Sequence, residues 1–292
     1  MKIYNIGSLN IDYVYQVEHF VTVGETLSSA DMKIFPGGKG LNQSIALAKA
    51  GVKVIHGAIC GENGEFLLKT MESAGVNVER VLKKEYPSGH AIIQIEPSGQ
   101  NCILLFAGTN HLIDENYIME FLSDAEEGDV LLLQNEVNGL DMIFEIAHRK
   151  KMQMAFNPSP FHEKIKQLPL EYVTWWFCNE IEGEALFGGT AEEIAERFIK
   201  QYPNGNLILT LGEKGSLFRN RELHIKQSIY PTKVVDTTAA GDTFTGYFIA
   251  SVVNGNNIEE AMRIASKAAS ITVSGVGAAE SIPCYAEVKE LE

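Results

Sequence analysis

The chain has 292 residues, 45% of them hydrophobic and 21% charged, which is enough to bury a sizeable core and too apolar for a disordered or fibrous protein. Its formal net charge of -14 excludes nonspecific binding to nucleic acid or to anionic membranes, both of which it would repel. An anionic nucleotide can still be held locally, by backbone N–H groups, a helix N-terminus and a divalent ion.

Cys60, Cys102, Cys178 and Cys284 stand far apart, with no C-x-x-C pair and no His at ligand spacing, and read as reduced thiols. The opening MKIYNIGSLNID lacks the apolar core of a signal peptide, and no run approaches the roughly 20 apolar residues of a membrane span. A cytoplasmic protein is expected.

In chain order, a short apolar strand ends in Gly7-Ser8-Leu9-Asn10-Ile11-Asp12. The stretch from Tyr13 to Phe35 alternates, and FPGGKG then leads into an Ala-rich helix that stops at Gly51. VKVIHGAI reads as a strand and GEFLLKTMESAG as a helix. His90 to Phe106 reads as a hairpin around Pro97-Ser98-Gly99-Gln100. DVLLLQ, MQMAFNP, YVTWWFCN and NLILTLG are further strands, interleaved with the helical LDMIFEIAHRK and AEEIAERFIKQ and followed by two C-terminal helical stretches. Short apolar strands alternating with crossover helices predict a doubly wound α/β protein, its mostly parallel sheet covered on both faces. Residues 13–35 and 90–106 break that rhythm. They are expected to pair as a small β-sheet lid on a catalytic domain of residues 1–12, 36–89 and 107–292; an antiparallel edge of the main sheet is the other reading.

Two segments carry chemistry. In VVDTTAAGD, an apolar strand runs into Asp236-Thr237-Thr238, the small residues Ala239, Ala240 and Gly241, and then Asp242 at the start of an apolar helix. The free N–H groups of that helix start form an anion hole for a phosphoryl group in flight, beside a carboxylate able to take a proton from an attacking hydroxyl. On residue type alone Asp242 fits a helix cap equally well. In Pro36-Gly37-Gly38-Lys39-Gly40-Leu41-Asn42, bare glycines let a hydroxylated ligand lie against backbone, and Asn42 offers a donor and an acceptor to a diol; a purely structural turn is the alternative. This is not a phosphate-binding Walker loop, because no Ser or Thr follows Lys39. Further polar residues close other strands, at Gln134-Asn135-Glu136, Asn179-Glu180-Ile181-Glu182 and Thr210-Leu211-Gly212, on the edge where parallel sheets bind ligands.

With GGKG-x-N and DTxAAGD in this order, essentially the whole chain resembles the phosphofructokinase-B-type (PfkB) carbohydrate kinase family, and within it the ribokinases. The resemblance implies a ribokinase-like, three-layer Rossmann-like fold and transfer of the γ-phosphoryl of ATP to the 5-hydroxyl of ribose. Fructose, another pentose or deoxysugar, or a nucleoside are the rival acceptors, and a noncatalytic sensor is a remote one. By similarity, Asn10, Asp12, Gly38, Lys39, Asn42 and Glu136 line the sugar pocket, Asp242 is the base, and Ala239, Ala240 and Gly241 form the anion hole. Asn179 and Glu182 match an N-x-x-E element that organises Mg²⁺ and phosphates through water. Thr210, Gly212, Gly215 and Ser266, with Gly241, match the nucleotide site. Asp236, Thr238, Thr272, Gly275, Gly277 and Ser281 match a site for K⁺ or another activating monovalent cation. A homodimer formed through the lid is also implied. Two departures stand out: the turn Gly61 to Glu65 is about two residues short of the family pattern, and Ser266 replaces a larger polar residue.

Overall fold

In the computed structural model, which describes residues 1–291, β1 (Ile3–Ile6) leads into the antiparallel pair β2 (Asn10–Gln16) and β3 (Asp31–Gly37), and then into α1 (Lys39–Lys49). Next come β4 (Val54–Gly57), β5 (Ile59–Gly61), α2 (Glu65–Ser73), β6 (Leu82–Lys84), and the hairpin β7 (Gly89–Ile95) and β8 (Asn101–Phe106). An alternating series follows: α3 (Glu115–Phe121), β9 (Val130–Gln134), α4 (Leu140–Arg149), β10 (Gln153–Asn157), β11 (Val173–Asn179), α5 (Glu180–Phe187), α6 (Ala191–Gln201) and β12 (Asn206–Thr210). The chain closes with β13 (Ser216–Arg219), β14 (His224–Gln227), α7 (Ala240–Val253), α8 (Ile258–Thr272), α9 (Ala278–Ser281) and α10 (Tyr285–Glu290).

The main sheet has the order β14-β13-β12-β11-β10-β9-β1-β4. It is parallel from β12 through β4 and antiparallel at β13 and β14. Its strands are apolar on both faces because both faces are covered. Ile3, Val130 and Leu132 pack into one core with α1, α7 and α8, while Tyr4, Ile6, Leu131 and Leu133 pack into a second with α3, α4 and α6. The chain order reverses between β1 and β9, which are neighbours in the sheet. The carboxyl ends of strands on either side of such a reversal diverge and leave a crevice, the usual ligand position in an open α/β sheet.

The alternating segments form a separate four-stranded sheet, β3-β2-β7-β8, so the edge-of-main-sheet alternative is excluded. Its strands begin earlier than the sequence rhythm indicates. β2 already starts at Asn10 and β7 at Gly89, in parallel register with each other, so the small sheet grows directly out of the end of β1. VKVIHGAI, expected as one strand, is two: Val54–Gly57 pairs with β1, whereas Ile59–Gly61 leaves the main sheet and pairs with β6. The break falls where the Phe121 ring occupies the space a Cβ on Gly57 would need, 2.7 Å away. The short turn after β5 is stitched down by Ser88, whose Oγ accepts from Gly61 N while Ser88 N donates to Asn63 Oδ1.

Candidate active site

Helix α7 crosses α1 closely because Gly246 has no side chain: a Cβ there would sit 2.4 Å from that of Ala46. This approach brings the first turns of the two helices together, although their residues lie some 200 positions apart in sequence. Asp242, 7% exposed, accepts from Asn42 Nδ2 on Oδ2 at 3.1 Å and from Gln43 Nε2 on Oδ1 at 2.9 Å. It is not the helix cap. The residue preceding α7 is Ala239, held at φ 61°, and no side chain caps the helix. The helix-cap alternative for Asp242 therefore fails. Within this first turn Ala240 N donates to the Thr237 carbonyl at 3.3 Å, while Gly241 is exposed and a Cβ built on it meets nothing within 4 Å.

The glycine turn before α1 is fixed from the sheet. Gly38 adopts φ 98° with its α-carbon against Ser8, a conformation that favours glycine. Glu136 Oε2, beyond the end of β9, accepts from Lys39 N at 2.9 Å and from the Ser8 hydroxyl, and Ser8 Oγ in turn accepts from Gly40 N. Part of Glu136 is thus spent on holding the turn. Burial pushes its carboxyl up, against the lowering influence of Lys39. At Lys39, burial opposes the charge but is outweighed by Asp242, Glu136 and Glu182, which hold the ammonium above its ordinary value.

Opposite the turn, β2 carries Asn10 and Asp12. Asn10 Oδ1 accepts from Asn110 Nδ2 at 2.8 Å, and Asn110 also spans the backbone of Leu9. Asp12 is pushed up to about 7 by burial and then by the nearby Glu136, with no hydrogen bond from a described residue to lower it. Three polar groups beside the crevice therefore keep acceptor capacity to spare: the Asp12 carboxylate, Glu136, and Asn42 Oδ1, which is buried without a partner. A buried acceptor left unpaired is costly unless a ligand donor completes it.

Further along the sheet edge, Asn179 lies in register with Thr210 across β11 and β12. Asn179 and Glu182 form a reciprocal capping box at the start of α5: Asn179 N donates to Glu182 Oε2 at 2.9 Å, Glu182 N donates to Asn179 Oδ1 at 2.9 Å, and Asn179 Nδ2 reaches Glu182 Oε1 at 3.1 Å. Gly212 and Gly215, both at positive φ, make the tight turn after β12, and Gly215 packs against the Gln227 carbonyl. Ser266 is buried on α8 and makes no hydrogen bond to that turn. Among the described residues no cluster of three metal-ligating carboxylates, histidines or cysteines occurs.

The remaining expected residues converge beside the start of α7. Asp236 Oδ1 accepts from Thr238 N and Oγ1, at 2.9 and 2.6 Å, and Oδ2 accepts from Gly277 N at 3.1 Å. Gly275 N donates to the Thr272 carbonyl, and Gly275 packs on Ser281. Sequence reasoning missed Gln43 and Asn110, and took Ser8 and Gln134 only as parts of strand ends. The available signal was a pair of amides, Asn42 and Gln43, inside an otherwise Ala- and Leu-rich helix.

Residues 2–284 match the pattern of the pfkB family carbohydrate kinases. The ribokinase of Bacillus subtilis is 30% identical, over 98% of this chain and 97% of its own length. Among solved structures, a ribokinase from Thermotoga maritima superposes with TM-score 0.85 at 35% identity, covering 100% of this chain and 99% of that one. The Arabidopsis thaliana ribokinase complexed with ribose and ATP superposes with TM-score 0.87 at 29% identity, covering 99% and 98%. With both segment signatures meeting at one crevice and the match running through nearly every residue, the chain belongs to the pfkB family of carbohydrate kinases.

Proposed function

We propose that this carbohydrate kinase transfers the γ-phosphoryl group of ATP to the 5-hydroxyl of D-ribose, with Asp242 as the general base. The observation that carries this reading is Asn42: one end of its buried amide holds the Asp242 carboxylate, and the other presents an unpaired acceptor. A hydroxyl bound there lies next to the base by construction. Asp12, Asn10 and Lys39 supply further groups for the ring hydroxyls, which each both donate and accept. As the exocyclic hydroxyl attacks in line, Asp242 takes its proton, and the start of α7 receives the charge of the phosphoryl group, Gly241 N–H first, because Ala240 N already donates to the Thr237 carbonyl at 3.3 Å.

The small sheet lies over the crevice as a lid, excluding water that would compete as nucleophile. Thr210, Gly212, Gly215 and Ser266 serve the nucleotide, and the reduced thiols and use of ATP fit a cytoplasmic setting. Mg²⁺ arrives with the phosphates. Both Glu182 oxygens are already engaged by Asn179, so this carboxylate suits contact with a hydrated ion through water. The set around Asp236, Thr238, Thr272, Gly275, Gly277 and Ser281 is built of carbonyls and hydroxyls about a single carboxylate, which suits a weakly hydrated monovalent cation such as K⁺ and not a soft metal.

The test is ADP release measured over a panel of ribose, deoxyribose, fructose and adenosine, with K⁺ or with a bulky organic cation. Ribose is expected to give the highest kcat/KM, with K⁺ raising kcat. Equal turnover of ribose and fructose or adenosine would remove the ribose assignment and leave the kinase intact.

A further inference from the structure

Asn42 and Gln43 both donate to Asp242, but they differ in where their other ends go. Asn42 Oδ1 has no partner, whereas Gln43 Oε1 accepts from Gln134 Nε2 at 2.7 Å. From there the bonds continue through the scaffold. Gln134 Nε2 also donates to Asn5 Oδ1 at 3.1 Å. Asn5 Nδ2 donates to Ser44 Oγ at 2.8 Å and to the Gly40 carbonyl at 2.9 Å. Ser44 Oγ lies 2.8 Å from His56 Nδ1. Gln43, Gln134, Asn5, Ser44 and His56 are all 0% exposed, and they come from α1, β9, β1 and β4.

The direction of every bond in this chain follows from its end. An ionised carboxylate only accepts, so Gln43 must turn its amino group to Asp242 and its carbonyl to Gln134. Gln134 then presents its amino group, Asn5 its carbonyl, and the Asn5 amino group occupies a lone pair of Ser44. The Ser44 hydroxyl is left to donate to His56 Nδ1, which requires a neutral imidazole; burial, which drives His56 down to about 3, supplies one. The arrangement is costly as packing. Gln134 Oε1 stays buried and unpaired, and room for it exists only because Gly7 has no Cβ, which would fall 2.5 Å from it. Apolar side chains between helix and sheet would avoid that penalty.

We infer that Gln43 is a positioning residue for phosphoryl transfer: anchored by Gln134 and Asn5, it fixes the plane of the Asp242 carboxylate while Asn42 remains free to meet the sugar. The inference rests on Asp242 being the base. A carboxylate held by one amide alone can rotate about its own axis and swing with the Asn42 side chain as the sugar binds. A second amide locked to the sheet removes that freedom before the substrate arrives, and misplacement of a reacting group by about 1 Å costs on the order of 100-fold in rate.

The test is steady-state kinetics of Gln43→Met, which keeps the volume and removes both hydrogen bonds, alone and in an Asp242→Asn background, with Gln134→Met as a second variant one bond further back. Gln43→Met is expected to lower kcat by about 10- to 100-fold with KM for sugar and ATP within about threefold, and to cost nothing more once Asp242 is Asn. Gln134→Met is expected to show a smaller loss with the same cancellation, and it carries the test if Gln43→Met does not fold. Wild-type kcat in the folded Gln43→Met or Gln134→Met protein, or an equal loss in both backgrounds, overturns the inference. Near-normal turnover in Asp242→Asn alone would instead remove the base reading on which it stands.

Discussion

The carboxylate of Asp12 occupies the space a side chain on Gly37 would fill: a Cβ built on Gly37 lies 2.1 Å from Asp12 Oδ2. The two residues sit on adjacent strands, with Asn10 in register with Gly37 and Asp12 with Phe35, so the carboxylate folds back over bare backbone toward the crevice. Gly37→Ala must displace it. The expected result is a rise in sugar KM of about 10- to 100-fold, with a stability loss of about 1–3 kcal/mol from the overpacking. Calorimetric titration of the sugar and a thermal melt read both, and unchanged affinity would show that Asp12 does not hold the ligand.

Because burial and then Glu136 push Asp12 up to about 7, its charge changes inside the working pH range. Protonation removes acceptor capacity, so sugar KM is expected to rise as pH falls below about 7, by up to about tenfold per unit, and Asp12→Asn to flatten that dependence. The stability effect in the ligand-free protein has its own sign. The folded value exceeds the unfolded value of 3.8, so the folded state holds the proton more tightly. The stability this gives is fully present below about pH 4 and is lost as pH rises to about 7. Melting temperatures and KM of wild type and Asp12→Asn from pH 5 to 8 check both directions.

What the sequence made legible was local. Residues 37–42 and 236–242 each carry their glycines, small residues and polar side chains within a few positions of one another, so their chemistry could be read in place. The relay behind Asp242 could not, because the bond from Gln43 to Gln134 spans 91 positions and that to Asp242 spans 199; the packing of α1 on the sheet creates the first and the α1–α7 crossing at Gly246 the second. VKVIHGAI failed for a related reason. Its apolar run is continuous, but the Phe121 ring against Gly57 divides it between two sheets, and a ring arriving from 64 positions away leaves no local mark. Asn179 and Glu182 were legible as a pair, yet the same spacing is that of a capping box, so the pattern could not separate support of a helix from service to a nucleotide.

That overlap can be separated by experiment. Asn179→Ala removes the cap from α5 and leaves the buried Glu182 carboxylate without its side-chain partner, and should cost about 1–2 kcal/mol in stability. Asn179→Ser restores an oxygen at the cap and most of that stability, but not the amide donor to Glu182. KM for MgATP is therefore expected to rise in both variants, and to stay raised in Asn179→Ser. Recovery of nucleotide KM together with stability would reduce the pair to a helix cap.

Strand β8 is the outer edge of the small sheet, and it is exposed along its length: Ile103, Leu104, Leu105 and Phe106 are 52, 68, 51 and 44% exposed. β3, on the other side, adds Met32 and Ile34 at 44 and 50%. An apolar strand with an unpaired backbone edge invites pairing with another chain unless it is covered. A second copy of the small sheet, related by a twofold axis, would cover both surfaces and close the assembly at two chains, since a self-complementary contact cannot propagate. Light scattering is accordingly expected to give twice the chain mass. Leu104→Lys, which places a charge in the middle of the edge, should give the monomer. If the lid acts through this pairing, the monomer should also bind sugar more weakly, because each sheet then loses the neighbour that holds it over its own crevice; a wild-type protein that sediments as a monomer would sink the dimer and leave the lid to act alone.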